Sequence, residues 1–532
     1  MRKGAGVNTS RSTPPESAYI VGDTVSAETI VQSLQALVPT RRHALRRQRL
    51  TLLDTFDGRI RRAGASVTRR RVNGTAMLAW QTRRGAPPVT AAVDPTVAFV
   101  WDIPEGVLQR RLAPIVGVRR LLSQVEAEEH GTVLDVLDGQ GKTRARLRIE
   151  SGRTRSSGSG QSWQPVPTVI TLTSLRGYAD TYERLVPIIR SRPDVEPCPE
   201  GFHGEMLRRA GALEGADLSL PCLDGRVEAA EGVRRIHLAL LGVLAANEPG
   251  LRADLDTEFL HDFRVAVRRT RSLLRQIRNV FPSDVVEHFS NEFSWIGRLT
   301  GPPRDLDVLL LDLRAERPYM PARDMELITS AVRALRLNEH EALVAALDSP
   351  RYRQLRGDWM GFLERPTAPD ADGGMAPRVL EEIVSRRAWR LSQRLARCAS
   401  DIDDETPAER LHEVRILAKK LRYLVDIAPS FYEAGDLTRV VGSLKKVQRV
   451  FGDYNDAQIQ EARLLECLRS LSADHDGRSA LFALGGLVER TRQRRACLRD
   501  QVVESLARFS AGATQAACRR AFRRRRSQVR SR

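Results

Sequence analysis

The chain has 532 residues, a hydrophobic content of 42% and a formal net charge of +19. This length and apolar content predict two or three domains, each with its own core, and the positive charge indicates an anionic partner such as a phosphate compound. An aromatic content of only 5% disfavours a surface that stacks successive bases of a single-stranded nucleic acid.

The N-terminal segment, residues 1–15, is polar and rich in glycine and serine, and we expect it to be disordered. No run in the sequence approaches the roughly 18 apolar residues of a membrane span, so we expect a cytoplasmic protein without a signal peptide or membrane contact. The six cysteines are scattered and form no C-x-x-C pair. They are therefore interpreted as free thiols of a reducing compartment rather than as disulfides or zinc ligands.

Residues 16–190 have the pattern of a β-domain. The strand-like segments are 66–72, 75–82, 132–137, 143–150 and 168–172. Asn73 and Gly74, which separate the first two segments, favour the positive φ angles of a tight hairpin turn. The Ser/Gly/Arg-rich stretch 151–160 is typical of a flexible loop.

Residues 191–224 contain four prolines and several glycines, which predict a linker with few regular elements. From residue 225 to 518 apolar residues recur with helical spacing, so we expect an all-α domain. We predict two halves, about 225–365 and 376–518, followed by an arginine-rich tail at 519–532. This tail either solubilises the protein or assists anion binding without specificity.

The helical region contains one pattern twice. The two copies are His261-x-x-Arg264-x3-Arg268-Arg269-x-Arg271 and His412-x-x-Arg415-x3-Lys419-Lys420-x-Arg422, and His261 and His412 are 151 residues apart. The same offset relates Arg298, Gly301 and Asp305 to Arg449, Gly452 and Asp456. Matching residues over about 45 positions without a gap predict a duplicated structural unit.

Each copy predicts a helix with one basic face. At about 100° per residue, one arc of the first helix carries His261, Arg264, Arg268, Arg271, Arg275 and Arg278. The opposite, core-facing side carries Phe263, Ala266, Thr270, Leu273, Leu274 and Ile277. Like charges one turn apart cost about 0.2–0.5 kcal/mol per pair, so the basic arc indicates either a bound polyanion or a solvated helix face. If both basic faces border one groove, they form a continuous cationic channel.

The candidate anion ligands are the basic residues of both copies and of the second matched block. They are His261, Arg264, Arg268, Arg271, Arg275, Arg298, His412, Arg415, Lys419, Arg422, Lys445 and Arg449. The two histidines are predicted at the helix starts, where a phosphate donor, a core residue or a catalytic acid would each be possible. Gly301 and Gly452 are expected to end helices, and Asp305 and Asp456 to cap the next ones or to orient basic side chains.

These motifs resemble the CHAD family, the conserved histidine α-helical domain, over about residues 225–520. The residues that carry the resemblance are Leu260-His261-Asp262-Phe263-Arg264, Arg304-Asp305-Leu306-Asp307, Leu411-His412-x-x-Arg415 and Gly452-Asp453-Tyr454-Asn455-Asp456. The resemblance implies a helical bundle of two pseudo-symmetric halves that binds inorganic polyphosphate in a central basic groove. It also implies association with polyphosphate granules.

Residues 16–190 resemble a degenerate CYTH domain, a β-tunnel that hydrolyses triphosphates with a divalent metal. The carrying segment is Leu52-Leu53-Asp54-Thr55-Phe56-Asp57, and Arg69, Arg71 and Arg84 would correspond to the phosphate-binding residues of that family. The family's first strand has Glu-x-Glu-x-Lys, whereas this chain has Glu16-Ser17-Ala18-Tyr19-Ile20. With one acid and the lysine missing, metal-dependent hydrolysis is not expected.

Together these observations predict an α+β multidomain protein, with an antiparallel β-barrel or tunnel of CYTH type before the duplicated helical bundle. We expect a non-catalytic protein without cofactor or metal that binds inorganic polyphosphate. Two alternatives stay open: a metal-dependent triphosphatase acting through the β-domain, and a protein that binds double-stranded nucleic acid.

Overall fold

The structure is a computed structural model. It describes residues 16–22, 25–82, 88–158, 160–213, 218–277, 279–365, 378–403, 405–427, 429–470 and 475–523. The chain divides into two compact units, Met1–Asp217 and Leu218–Arg532, which we call the β-unit and the helical unit. All six cysteines are free thiols.

The β-unit is built on one antiparallel sheet of nine strands. The strands are β1 Glu16–Val21, β2 Thr40–Asp54, β3 Ala65–Val72, β4 Thr75–Thr82, β5 Val89–Ala92, β6 Leu122–Leu137, β7 Thr143–Ser156, β8 Gln164–Ser174 and β9 Val195–Pro197. Their order in the sheet is β5-β4-β3-β2-β6-β7-β8-β1-β9. The predicted antiparallel β-fold is confirmed. Because no pairing within the described ranges joins β5 to β9, the sheet is not closed into a barrel.

Both predicted hairpins are present. Asn73 and Gly74 have φ angles of 49° and 81°, and Val72 pairs with Thr75 across the turn. Strands β6 and β7 pair over almost their whole length. Residues 151–156 belong to β7, although we predicted a loop there. Arginines of this segment form ion pairs with glutamates at the register positions directly opposite on β6, which stabilises the extended pairing.

Helices cover both faces of this sheet. They are α1 Ala27–Leu37, α2 Arg59–Arg62, α3 Val107–Val116, α4 Ala179–Arg190 and α5 Gly201–Arg209. Helices α1 and α4 share one apolar cluster, and α5 buries Phe202 and Met206 against Leu50 and Leu52 on the opposite face. Strand β9 and α5 lie in residues 191–224, where we predicted few regular elements. The apolar face of α5 explains the difference, since the sheet gives that face a partner.

The helical unit contains eleven helices in the described part of the chain. They are α6 Ala229–Arg252, α7 Thr257–Gln276, α8 Ser283–Leu299, α9 Gly301–Glu316, α10 Ala322–Leu347, α11 Pro350–Glu364, α12 Leu380–Ser400, α13 Ala408–Asp426, α14 Ala434–Ser470, α15 His475–Ser510 and α16 Gly512–Phe522. The all-α fold predicted for this half is confirmed. No helix in the described ranges combines the length and apolar composition of a membrane span.

Helix α7 folds as its sequence pattern predicts. The Asp256 carboxylate accepts hydrogen bonds from the backbone N–H groups of Glu258 and Phe259, which caps the first turn. The predicted core-facing residues are all buried, namely Phe263, Ala266, Thr270, Leu273, Leu274 and Ile277. The basic face of α7 is therefore directed away from the apolar core.

The second matched block differs from its predicted conformation. Gly301 begins α9 and lacks a positive φ angle, so it is not a left-handed cap. Asp305 lies inside α9, and Gly452 and Asp456 lie inside α14, which continues unbroken across this block. The Pro302-Pro303 pair that follows Gly301 explains why only the first copy has a break, because proline favours the first turn of a new helix.

Two further predictions about helix limits change. His261 and His412 lie in the second turns of α7 and α13, not at the helix starts that we predicted. In the arginine-rich tail, Arg519 and Arg520 belong to α16, and Arg520 forms an ion pair with Asp436. Residues 1–15 and 524–532 lie outside the described residues.

Candidate anion-binding site

Helices α7 and α13 carry the two copies of the repeated motif and pack against each other. Near the end of α7, Gln276 donates a hydrogen bond from Nε2 to the backbone carbonyl of Lys420 in α13, at 3.1 Å. This contact ties the two halves of the helical unit together. It also brings the two basic faces close to one another.

The charges of the two basic faces interact in equivalent pairs. Lys419 and Arg264 repel each other, and so do Arg415 and Arg268. These two pairs are equivalent, because Arg264 matches Arg415 and Arg268 matches Lys419 at the offset of 151 residues. Arg268 and Lys419, which match each other, also repel.

We call Arg264, Arg268, Arg271, Arg415 and Lys419 the central basic cluster. Burial, followed by repulsion from Arg415 and Arg268, lowers the pKa of Lys419 to about 7. Burial is also the main reason why the pKa values of Arg264, Arg271 and Arg415 are lowered. Positive charges held together and partly removed from water gain most from a bound anion.

Several guanidinium groups of the cluster have unused hydrogen-bond donors. The Nε atoms of Arg268, Arg271 and Arg415 are buried and have no hydrogen-bond partner among the residues that the structure describes. Leaving a buried donor unsatisfied costs about 1–3 kcal/mol, and more for a charged group. Acceptor oxygens of a ligand would remove this cost, and phosphate oxygens are suited to the planar donors of arginine.

Arg264 and Arg271 lie against the backbone of neighbouring helices. The Nη1 atom of Arg264 donates to the Gly297 carbonyl at 3.0 Å and to Thr300 Oγ1 at 3.4 Å. A Cβ at Gly297 would lie 2.8 Å from Arg271 Nη1, and one at Gly301 would lie 3.3 Å from Arg264 Nη1. The two glycines therefore allow close approach of guanidinium groups, which replaces the capping role that we predicted for Gly301.

Asp305 and Asp456 accompany the cluster as an equivalent pair. Burial raises the pKa of each carboxyl group, and repulsion from Asp456 raises that of Asp305 further. Arg264 attracts Asp305, and Arg415 attracts Asp456. The helix-capping role predicted for these residues is wrong. Their position instead offsets part of the positive charge of the cluster.

The two halves are not equivalent at the positions of Arg271 and Arg422. Arg275 and Arg298 both lie near Arg271, where they add to the lowering of its pKa by burial. At the equivalent position of the second half, Arg422 Nε donates to Asp426 at 2.6 Å. Arg422 was predicted as an anion ligand, but its charge is already balanced by this carboxylate. Arg271 is therefore surrounded by positive charge in the first half, whereas Arg422 in the second half has a carboxylate partner.

The remaining predicted ligands lie at the periphery. His261 is half-buried, whereas His412, Lys445 and Arg449 are exposed. The exposure of His412 excludes its interpretation as a core histidine. Arg278 lies outside the described residues.

Tyr423 is a member of the site to which the sequence analysis assigned no role. The guanidinium of Arg268 lies over its ring, 5.3 Å from the centroid. At the repeat offset the first half has Ser272, so the comparison of the two copies gave no signal for this position. The only signal was an aromatic residue inside the second basic motif.

A separate cavity of about 270 Å³ lies in the β-unit, on the sheet face covered by α5. Its lining includes Arg146 and Arg148 beside Asp54 and Glu150. Glu150 accepts a hydrogen bond from Arg148 at 2.5 Å, and Asp54 accepts three backbone N–H bonds. Among the described residues there is no group of three or more histidine, cysteine, aspartate or glutamate side chains placed to hold a metal.

Arg69 and Arg71, which the resemblance relates to phosphate-binding residues, do not line this cavity. Ser66 lines the cavity, so by the alternation of a strand Arg69 and Arg71 lie on the other face of β3. Arg69 donates to the Pro95 carbonyl at 3.1 Å. Arg84 lies outside the described residues.

Comparison with known proteins identifies a family that the helical unit matches. Residues 235–465 match the CHAD domain family. An uncharacterized protein of Mycobacterium tuberculosis, found in strains CDC 1551 and H37Rv, is 24% identical over 422 residues, or 75% of this chain and 78% of the relative.

Two solved structures are similar to parts of the chain. The CHAD domain of the plant Ricinus communis is 26% identical, covering 55% of this chain and 95% of that chain with a TM-score of 0.46. A putative adenylyl cyclase from Hippeastrum with a dominant triphosphatase activity is 12% identical, covering 34% of this chain and 90% of that chain with a TM-score of 0.24. Because the family match includes both repeated basic motifs, the helical unit of this chain contains a CHAD domain.

Proposed function

We propose that this protein binds inorganic polyphosphate through the central basic cluster of its CHAD domain and does not hydrolyse it. The supporting observation is that basic residues of both halves lie close enough to repel one another, and that three of them have buried donors without an acceptor among the described residues. A linear chain of phosphates has oxygens along its whole length, so it can contact both helices at once. Association with polyphosphate granules would follow from the same binding.

The character of the cluster favours polyphosphate over nucleic acid. Tyr423 is the aromatic side chain next to the cluster, and the guanidinium of Arg268 already lies over its ring. It therefore offers no free platform for a base. Reading of duplex DNA would need side chains directed at base edges, and the sequence contains no motif of that kind.

A salt titration with competition tests the ligand. We expect the affinity for long-chain polyphosphate to fall with salt, with a log–log slope of about −3 to −4 if all five cluster cations make contacts at roughly −0.7 each. Fluorescence anisotropy of labelled polyphosphate measures this slope. We expect duplex DNA at the same phosphate concentration to leave the complex intact. Displacement of polyphosphate by the DNA would show that nucleic acid is the preferred ligand.

The β-unit is proposed to be inactive as a triphosphatase, because two carboxylates of its cavity, Glu150 and Asp54, are already engaged by Arg148 and by backbone N–H groups. We expect no steady release of orthophosphate from tripolyphosphate in the presence of Mg²⁺ or Mn²⁺, as measured by a colorimetric phosphate assay. A parallel reaction with a chelator is the control. Metal-dependent release that disappears in the variant Arg148→Gln would establish the enzymatic alternative.

A further inference from the structure

A second concentration of arginine lies in the β-unit, outside the cavity. It surrounds a depression of about 390 Å³ on strands β2, β3, β6 and β7. The charged residues that line it are Arg49, Arg69, Arg70, Arg71, Arg155 and Glu126. We call this surface the arginine depression. Five arginines and one glutamate give it a large surplus of positive charge.

Carboxylates near the depression are shared among several arginines. Glu126 pairs with Arg155 at 2.6 Å. Glu128, two residues further along β6, accepts contacts from Arg47, Arg49 and Arg153 together. One carboxylate cannot neutralise three guanidinium groups, and the Arg49 side chain remains 78% exposed. The surplus charge is therefore available at the surface.

The three consecutive arginines of β3 have no carboxylate partner in the described part of the chain. Arg69 donates to the Pro95 carbonyl, and Arg70 donates to the side-chain oxygen of Gln48 at 3.1 Å. The Nε atom of Arg70 is buried and lacks an acceptor among the described residues. Arg71 is exposed. By the alternation of the strand, Arg70 lies on the face of Ser66, so Arg69 and Arg71 are the two that share the face of the depression.

Trp163 holds two further guanidinium groups in position. Arg153 and Arg155 lie 4.9 and 4.8 Å from the centre of its ring, as cation–π contacts. They are alternate residues of β7 and so lie about 6.7 Å apart along the strand, while neighbouring strands are about 4.8 Å apart. The strands therefore present arginines at regular short intervals in two directions, which a linear polyanion can follow.

We propose that the arginine depression is a second binding surface for linear polyphosphate. This inference rests on the proposed function in one respect, because it assigns the same ligand, polyphosphate, to the second surface. The depression has many guanidinium groups, and its aromatic ring, Trp163, is already covered by two of them. A base has no free ring to stack on, so the recognisable feature of the ligand is its dense negative charge.

The test removes positive charge from the arginine depression. It compares the effect on polyphosphate binding with the effect of an equal loss of charge elsewhere in the β-unit. The variant is Arg49→Gln with Arg71→Gln, and Arg71→Gln alone serves in case the double change impairs folding. The matched control is Arg110→Gln with Arg111→Gln, two exposed arginines of α3 outside the depression. For the full chain and long-chain polyphosphate, we expect the variant to lower the salt slope by about 1.4, at roughly 0.7 per lost contact. We expect the control to lower it by much less.

The same changes are then made in a chain whose central basic cluster carries Arg268→Gln and Arg415→Gln. We expect this chain to retain weak, salt-sensitive polyphosphate binding that disappears when Arg49→Gln and Arg71→Gln are added. If the cluster variant binds no polyphosphate and the depression variant equals its control, the second surface does not exist and the proposed function stands. If the cluster variant binds like the parent chain, the proposed function fails instead. Tighter binding of DNA than of polyphosphate by the cluster variant would overturn the ligand assigned to the depression.

Discussion

Changing Arg268 and Arg415 to glutamine together is expected to weaken polyphosphate binding by about 100-fold or more. Each residue comes from a different half of the CHAD domain, and each has a buried Nε donor without a partner in the described part of the chain. A hydrogen bond to a charged group contributes about 1.5–3 kcal/mol, and each 1.4 kcal/mol is a factor of ten in affinity. Isothermal titration calorimetry with long-chain polyphosphate measures the loss.

The control for this experiment is the pair Arg390→Gln and Arg394→Gln on α12. These arginines are exposed and one helical turn apart, and their replacement removes the same net charge from the same unit. We expect this variant to bind within a few-fold of the parent chain. Equal losses in the two variants would mean that binding depends on the overall charge of the protein, and the site assignment would then be wrong. Far-ultraviolet circular dichroism confirms that both variants are folded.

The affinity for polyphosphate is expected to fall as the pH rises above 7. Burial and the neighbouring arginines lower the pKa of Lys419 to about 7, so the free protein loses this charge in the neutral range. A bound anion favours the protonated lysine, so the complex forms with uptake of a proton. The affinity should decrease by up to about tenfold per pH unit, the limit for one proton. Binding curves at pH 6.5, 7.5 and 8.5 measure the slope.

The variant Lys419→Arg separates this effect from other titrations. Arginine keeps its charge throughout this range, and Arg268 already occupies the equivalent position in the first half. We expect the variant to bind almost equally at each pH and more tightly than the parent chain at pH 8.5. A pH dependence that is unchanged in the variant would assign the titration to another group.

The free protein should respond to pH in the opposite sense. Between pH 7 and about 10.4 the unfolded chain keeps the Lys419 proton that the folded chain has lost. Stability therefore rises with pH in this window in the absence of ligand, while binding weakens. The opposite signs follow from one buried amine among like charges.

The sequence predicted the basic faces well because helical spacing decides which residues share a face. The buried side of α7 contains every residue that the pattern assigned to it, and the repeat identified the matching positions of α13. The repulsion between Arg268 and Lys419 depends on tertiary packing, so the pattern alone did not predict it. The ion pair of Arg422 with Asp426, one turn later, follows from helical spacing in the sequence.

Predictions were wrong where the residue type is compatible with more than one structural role. Gly301 has the residue type of a helix cap, but it provides space for the Arg264 guanidinium instead. In β3 a shift of one position changes the face of every side chain, and the resemblance did not fix that register. The sequence therefore did not show that Arg69 and Arg71 lie outside the cavity.

The two halves of the central basic cluster differ in charge, and this difference would set the direction in which a polyphosphate chain lies along it. Interior phosphates carry about one negative charge each, whereas a terminal group gains further charge near neutral pH, since a second phosphate pKa is about 6. The positive charges of Arg275 and Arg298 surround Arg271 in the first half, whereas the equivalent Arg422 in the second half is paired with the carboxylate of Asp426. The terminal phosphate of the chain would therefore bind beside Arg271, where positive charge is most concentrated. There it would be protected from enzymes that shorten polyphosphate by removing one phosphate at a time from its end.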